Sequence, residues 1–182
     1  TTLPVIYMNT MGQQILKENA IWGNIALLDG NGEEQSVFSV PNSIYPATIK
    51  YRGASSYSKF DKKQYRIKFY KNEKDSAKKV SLAGMGANSE WVLNGPYLDK
   101  TLIRNKLVYD LARELNGWAP DSRFVELFVD GEYQGVYLAV EPVTNGESRL
   151  RLSKFGLLSG ETAYIVSRDR SNTEAEELVT WG

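Results

Sequence analysis

The densest group of reactive side chains is a basic block that runs from residue 50 to residue 79. It contains eleven Lys or Arg residues and three acids, a net charge of +8, whereas the whole 182-residue chain carries 22 basic and 22 acidic residues. Within this block, Arg66 and Lys68 lie in the segment QYRIKFY (64–70), which alternates apolar and polar residues as a β-strand does. Residues two apart on a strand share a face, so both cations should project together and could bind a phosphate.

A stretch of small and hydroxyl residues, RGASSYS (52–58), precedes that strand. Small side chains let backbone amides approach an anion, and hydroxyl groups add further donors. We therefore predict one anion site, to which this stretch and the strand contribute the following residues: Arg52, Gly53, Ser55, Ser56, Arg66 and Lys68. The alternative is an ordinary hairpin turn beside a solvated strand face, because the stretch lacks the several glycines of a phosphate-binding loop.

The composition excludes several classes of chemistry. The chain has no Cys and no His, which removes disulfides, thiolate nucleophiles, histidine metal sites and the Ser-His-Asp triad. Any reaction must therefore use carboxylates, Lys, Arg, Tyr, hydroxyls or backbone amides. No apolar run approaches the roughly 20 residues of a membrane-spanning helix, and the zero net charge argues against a nucleic-acid partner.

One long helix is predicted from residue 101 to residue 116, with Asp99 as its N-cap and Gly117 as its stop. Its leucine-rich stripe recurs every four residues and should pack on a sheet. The stripe consists of Ile103, Leu107, Leu111 and Leu115. Asp110 and Glu114 lie four apart on one face, so either could pair with a phosphate-binding lysine, or both could be surface residues.

The remaining elements are short strands. An Asp130–Gly131 turn between two alternating segments predicts a hairpin over 123–129 and 132–140. A second hairpin is predicted for 24–29 and 35–40, around Gly-Asn-Gly. Three further strands are expected at 4–10, 47–51 and 90–94. The predicted fold class is α+β, an antiparallel sheet packed against one long helix.

Several segments resemble, in order, the spore coat protein H (CotH) kinase-like family. The segments that carry the resemblance are IKYRGASS (49–56), KKQYRIKF (62–69), YLDKTLIRNKL (97–107), DGEYQGVY (130–137) and VEP (140–142). Together with LPVIY (3–7) and WVLN (91–94), they are spread over residues 3–142. The resemblance implies the N-terminal lobe of an atypical protein kinase for residues 1–142 and a segment after the hinge, the start of the remaining domain, for residues 143–182.

The same resemblance implies a reaction and its cofactors. Members phosphorylate serines of spore coat proteins, so ATP, a divalent metal such as Mg²⁺ and a serine-rich protein substrate are expected. The expected location is the spore coat, or a secreted or surface position in a bacterium. Glu141 falls at the hinge that would meet the adenine edge. The anion site of Arg52, Gly53, Ser55, Ser56, Arg66 and Lys68 would hold the phosphates.

Whether the chain is itself an enzyme stays open at this point. Arg168–Asp169 resembles a catalytic loop, but Glu174 stands where the metal-binding Asn is required, and Lys154 stands where a metal-binding Asp is required. We therefore assign no catalytic and no metal residues. Two functions remain, a nucleotide-binding lobe of a protein serine kinase and a non-catalytic surface or coat module that binds an anionic partner through the basic block.

Overall fold

The computed structural model describes residues 1–72, 76–152 and 163–164. The chain forms two compact units, Thr1–Val143 and Thr144–Gly182. Seven strands and two helices lie in the first unit: β1 (Val5–Asn9), β2 (Ile21–Leu28), β3 (Ser43–Arg52), α1 (Ser55–Lys59), β4 (Gln64–Phe69), β5 (Glu90–Asn94), α2 (Arg104–Asn116), β6 (Ser122–Val129) and β7 (Glu132–Val140). Lys154, Arg168–Asp169 and Glu174 lie outside the described residues. The division into a kinase lobe and a segment after the hinge stays a prediction.

The seven strands close into a barrel in the order β1-β2-β3-β4-β5-β7-β6. All neighbouring strands are antiparallel except β1 and β6, which run parallel and close the barrel, with Val5 opposite Glu126. Closure gives every strand two partners, so the described barrel strands have no unpaired edge.

The core lies inside the barrel. Alternate residues of each strand face inward, which is why apolar and polar residues alternate along them. The fully buried interior residues include Ile6, Ile25, Ile49, Ile67, Phe69, Trp91, Leu93, Val125, Leu127 and Tyr137. Neighbouring positions on the same strands face outward.

Three interior tyrosines, Tyr51, Tyr65 and Tyr137, pack together in this core. The ring of Tyr65 lies 5.3 Å from that of Tyr51 and 5.8 Å from that of Tyr137, and the Tyr137 hydroxyl donates to the carbonyl of Lys63 at 3.0 Å. Burial raises the pKa of Tyr137 to about 12 and raises that of Tyr65 well above its ordinary value. These phenols are therefore neutral at physiological pH.

The hairpin predicted around Asp130–Gly131 is confirmed. Asp130 and Gly131 have φ values of 49° and 87°, the two left-handed positions of a tight hairpin turn, and they join β6 to β7. The hairpin predicted for 24–29 and 35–40 is wrong, because β2 pairs with β3 instead. Strand β3 pairs with β2 over seven residues, whereas the 35–40 segment bonds elsewhere, with the N–H of Gln35 donating to the carbonyl of Thr1.

The predicted long helix is present as α2, and Gly117 ends it in a left-handed conformation. The predicted packing is wrong. Leu107, Leu111 and Leu115 are 54%, 47% and 83% exposed, and no residue of α2 is fully buried. The helix instead turns Tyr109 toward the outer side of the barrel, where four residues of β5, β6 and β7 meet it. We call these residues, Val92, Phe124, Leu138 and Val140, the helix wall.

The fold class predicted from the sequence, an antiparallel α+β sheet covered by one long helix in the manner of a kinase lobe, is therefore overturned. The structure is a closed mixed barrel with a 13-residue helix on its outside. The physical reason is closure. A sheet that curls on itself buries its apolar face in its own interior and needs no helix to cover it.

The second unit is described only in part. Asn145 and Leu150 form an isolated parallel bridge, and the N–H of Arg149 donates to the carbonyl of Gly146 at 3.1 Å. Among the described residues of the whole chain, no helix combines the length and the hydrophobicity needed to cross a membrane.

Candidate functional site

The outer side of β3 and β4 carries three of the six predicted anion-site residues, Arg52, Arg66 and Lys68. Ile49 and Ile67 face the core, so the residues on either side of them face outward. The strand register places Lys50 opposite Arg66, Thr48 opposite Lys68 and Arg52 opposite Gln64. We call the outward residues Thr48, Lys50, Arg52, Arg66 and Lys68 the cationic wall.

The cationic wall keeps an excess of positive charge. Glu90 on β5 forms an ion pair with Arg66 and lies opposite Lys68 in the register. The Lys68 ammonium sits 5.7 Å from the centre of the Tyr70 ring. Within the described residues, neither Lys50 nor Lys68 makes an ion pair. A shallow cavity of about 140 Å³ opens here, lined by Ala20, Thr48, Lys50, Arg66, Ile67, Lys68 and Glu90.

Arg52 marks the end of the cationic wall nearest α1. Its Nη1 donates to Oε1 of Gln64 at 3.0 Å. Although the residue as a whole is exposed, desolvation lowers the pKa of the Arg52 guanidinium; Tyr109 opposes this shift and the Arg66 cation adds to it. An anion bound between Arg52 and Arg66 would offset the repulsion between these two cations.

The stretch after β3 forms the short helix α1 rather than an open loop. Gly53 has a φ of 98°, and a Cβ added there would lie 2.1 Å from the hydroxyl of Ser56, so only glycine fits. Lys63 fastens this turn, since its Nζ donates at 2.7 Å to the carbonyls of both Tyr57 and Phe60. Ser55 is exposed on the first residue of α1.

Glu141 lies apart from the cationic wall, just after β7. Its carboxylate accepts the N–H of Asp121 at 2.9 Å and lies 3.7 Å from Arg113, and its own N–H donates to the Asp121 carbonyl at 3.0 Å. Arg113 also donates to the carbonyl of Ala119 at 3.0 Å. These contacts hold α2 and the loop before β6 to the barrel. The predicted adenine contact of Glu141 stays a prediction, and it would compete with them.

The two acids proposed to pair with a phosphate-binding lysine do not reach the cationic wall. Asp110 accepts from Lys106 at 2.5 Å and 2.6 Å, one turn earlier on the same helix. Glu114 is exposed and has no ion-pair partner among the described residues. Lys68 is therefore not neutralised by α2.

Sequence reasoning placed Arg66 and Lys68 on one face, and the structure confirms it. It missed Lys50, Thr48 and Glu90. The signal for Lys50 was available, because it alternates with the buried Ile49 in the segment ATIKY. Glu90 had no such signal, since its place beside Lys68 depends on the pairing of β4 with β5.

The described residues do not fit a resident divalent metal. They contain no group of three or more acidic or histidine side chains that could hold such an ion.

Comparison with known proteins identifies the family of the chain. Residues 49–178 match the family model described as CotH kinase protein. The chain is also 34% identical over 143 residues to the inner spore coat protein H of Bacillus subtilis (strain 168), which covers 79% of this chain. The match spans 35% of that relative. Because the family match covers well over half of the sequence, the chain belongs to the CotH kinase protein family.

Proposed function

We propose that the cationic wall binds the phosphates of ATP and that the chain serves phosphoryl transfer to serine side chains of a spore coat protein. The observation that carries the proposal is the grouping of four cations from two adjacent strands, Lys50, Arg52, Arg66 and Lys68, beside one acid that pairs with Arg66. Kinases act on ATP mostly by positioning and by neutralising its phosphates, and such a wall suits that task.

Membership of the family supports the proposed phosphoryl transfer and the proposed location in the spore coat. The matching family is described as a kinase, and the relative is an inner spore coat protein, so a coat protein rich in serine is the expected substrate. Because the chain spans about a third of that relative, the catalytic step itself is proposed for the family polypeptide, with this barrel as its phosphate-binding part.

A second candidate function is a non-catalytic coat module that binds an anionic polymer or a phosphorylated protein. It is favoured by the openness of the cationic wall, whose cavity of about 140 Å³ accommodates a phosphate but not a whole nucleotide. The two candidates differ in what they recognise, because the kinase must distinguish ATP from a bare chain of phosphates.

Calorimetric titration of ATP and of tripolyphosphate tests the proposal. Lys68→Met should weaken ATP binding about tenfold, since it removes a charge-assisted contact to a phosphate. Lys100→Met makes the same change of charge outside the cationic wall, where its Nζ donates to the carbonyl of Tyr97, and should leave the affinity unchanged.

An unchanged affinity in Lys68→Met would remove the cationic wall from the nucleotide site. Equal affinities of the unaltered chain for ATP and tripolyphosphate would favour the non-catalytic module. Binding of both ligands should weaken as salt is raised from about 50 to 200 mM, because exposed charges are screened.

A further inference from the structure

A second cavity opens on the outer side of the barrel, and it shares no lining residue with the cationic wall. Its volume is about 660 Å³, within the range of roughly 300–1,000 Å³ that is usual for small-ligand sites. The lining residues that matter here are Tyr7, Asn9, Asn24, Ala26, Ile44 and Asp130.

The strand register explains the shape of this cavity. Tyr7 on β1 and Ile44 on β3 both lie opposite Ala26 on β2, so a tyrosine ring and an isoleucine side chain flank a single methyl group. Two strand spacings, roughly 10 Å, separate β1 from β3. Carbon contacts of roughly 3.5–4.0 Å on each side leave room for one ring between these walls. We call this space, with Ala26 as its floor, the Ala26 slot.

The ring of Tyr7 is held in place before any ligand binds. Its centre lies 5.1 Å from that of Phe128 with the planes 26° apart, and its hydroxyl donates to the carbonyl of Val37. Phe128 lies opposite Tyr7 on β6, whereas Ala26 lies opposite it on β2, so one side of the ring is covered and the other borders the slot. A ring fixed in this way loses little conformational freedom on binding.

Two side-chain amides converge on one end of the Ala26 slot. Asn9 and Asn24 lie opposite each other on β1 and β2, two residues along from the row of Tyr7 and Ala26. Within the described residues, the Asn24 amide makes no hydrogen bond, and Asn9 uses only its Oδ1, which accepts the N–H of Met11 at 2.8 Å. An amide offers two donated hydrogens and one acceptor oxygen. The slot therefore combines apolar walls with unused donors and acceptors.

The charges around the Ala26 slot select an uncharged ligand. The described lining contains no cation, and its acid, Asp130, already accepts the N–H and the hydroxyl of Thr10 at 2.8 Å and 2.7 Å. We propose that the slot binds one sugar ring of a neutral polysaccharide. The C–H groups of the sugar would pack on the weakly negative face of the Tyr7 ring, and its hydroxyls would bond to the amides of Asn9 and Asn24.

A segment of another protein is the alternative occupant. One general way for a peptide to bind a sheet is to add a strand at its edge, but the described barrel strands are closed and have no unpaired edge. A peptide would have to cross the strands, where most of its N–H and C=O groups would find no partner in the slot. A sugar ring fits between the two walls and uses the same amides, so the observations favour it. This inference does not rest on ATP binding.

Calorimetric titration with three neutral pentasaccharides, cellopentaose, mannopentaose and chitopentaose, tests the inference. The unaltered chain should bind at least one of them. Ala26→Leu fills the floor of the slot and Tyr7→Leu removes its ring, so each should weaken binding at least about tenfold. Tyr7→Phe keeps the ring and should bind about as well as the unaltered chain. Tyr97→Leu removes a ring outside the slot, one that stacks on Phe60 at 5.0 Å, and should change no affinity.

The outcomes separate this inference from the function proposed above. If none of the three pentasaccharides binds, or if Ala26→Leu binds as well as the unaltered chain, the inference is overturned. A dimer in sedimentation that Ala26→Leu dissociates would assign the slot to a second copy and overturn it too. Circular dichroism checks folding, and Asn24→Ala carries the comparison if Tyr7→Leu does not fold. Lys68→Met should leave sugar binding unchanged, so ATP and sugar titrations fail or succeed separately.

Discussion

The cationic wall and the helix wall are two sides of one barrel, built by the same alternation of inward and outward residues. On β4, Arg66 and Lys68 face solvent, whereas on β5 and β7 the equivalent outward positions are Val92, Leu138 and Val140, which Tyr109 of α2 covers. The inward residues of both regions are alike, buried and apolar. What differs is the covering element.

The difference teaches that strand alternation identifies the interior but says nothing of what lies outside. An outward apolar residue requires a cover, and an outward cation requires solvent or an anion.

The orientation of helix α2 adds a second lesson. It covers its wall through Tyr109 and the ion pairs of Arg113, while its own leucine stripe faces away. Amphipathicity shows that a helix has an apolar face, not which partner meets it.

The largest expected effect comes from the interior that both walls share. Ile67→Ala should lower the free energy of unfolding by about 2–5 kcal/mol, because it leaves a cavity in a closed core. Its neighbour Lys68→Ala, on the outer side of the same strand, should change it by less than about 0.5 kcal/mol. Urea unfolding of both variants measures the contrast, and equal midpoints would break the assignment of inner and outer sides.

The buried carboxylate of Glu141, which contacts α2, tests the comparison on the side of the helix wall. Glu141→Gln should lower the free energy of unfolding by about 1–3 kcal/mol, since it weakens the contacts to Asp121 and Arg113. Glu114→Gln makes the same change at an exposed position of α2 and should have little effect. A loss of similar size in both variants would show that charge alone, and not the buried contact, is responsible.

Alkaline pH should lower the stability of the fold through the interior tyrosines. The folded pKa of Tyr137 is raised to about 12 and that of Tyr65 is raised too, so the stability they contribute is complete below pH 10. It is lost as the pH rises from 10 toward 12, by about 1 kcal/mol per tyrosine and pH unit. Tyr65→Phe should reduce the slope of unfolding free energy against pH over that range. An unchanged slope would contradict the burial of its phenol.

The smallest expected effect tests the orientation of α2. Leu107→Ala should change the free energy of unfolding by less than about 0.5 kcal/mol, because the side chain is 54% exposed. Tyr109→Ala should cost more, about 1–3 kcal/mol, because it uncovers the helix wall. If Leu107→Ala proved the more damaging variant, the leucine stripe and not Tyr109 would be the buried face.

The sequence predicts features that depend on residues close together along the chain better than features that depend on distant ones. Local signals succeeded, as with the Asp130–Gly131 turn, the Gly117 helix stop and the shared face of Arg66 and Lys68. Pairings between strands that are distant along the chain could not be predicted from it. Nothing in the local pattern of β1 indicates that Val5 lies opposite Glu126, and without that pairing the sequence predicts an open sheet that needs a helix to cover it.

The same difference between local and non-local interactions applies to the candidate site. The six predicted phosphate contacts came from two segments joined by a short connection, and the structure keeps Arg52, Arg66 and Lys68 on one wall. Glu90 reaches that area from another strand, through the pairing of β4 with β5. Its contribution depends on register, which no local periodicity specifies.

The parallel pairing of β1 with β6 also sets an order of events during synthesis. A ribosome delivers Val5–Asn9 long before Ser122–Val129, so the nascent chain can form the β1–β4 meander but cannot close it. Until β6 emerges, the outer edge of β1 exposes unpaired N–H and C=O groups to other chains. Contacts so distant along the chain form slowly, so barrel closure should be the late step of folding. A cell that makes this protein therefore depends on β1 staying unpaired on that side until the β6–β7 hairpin arrives.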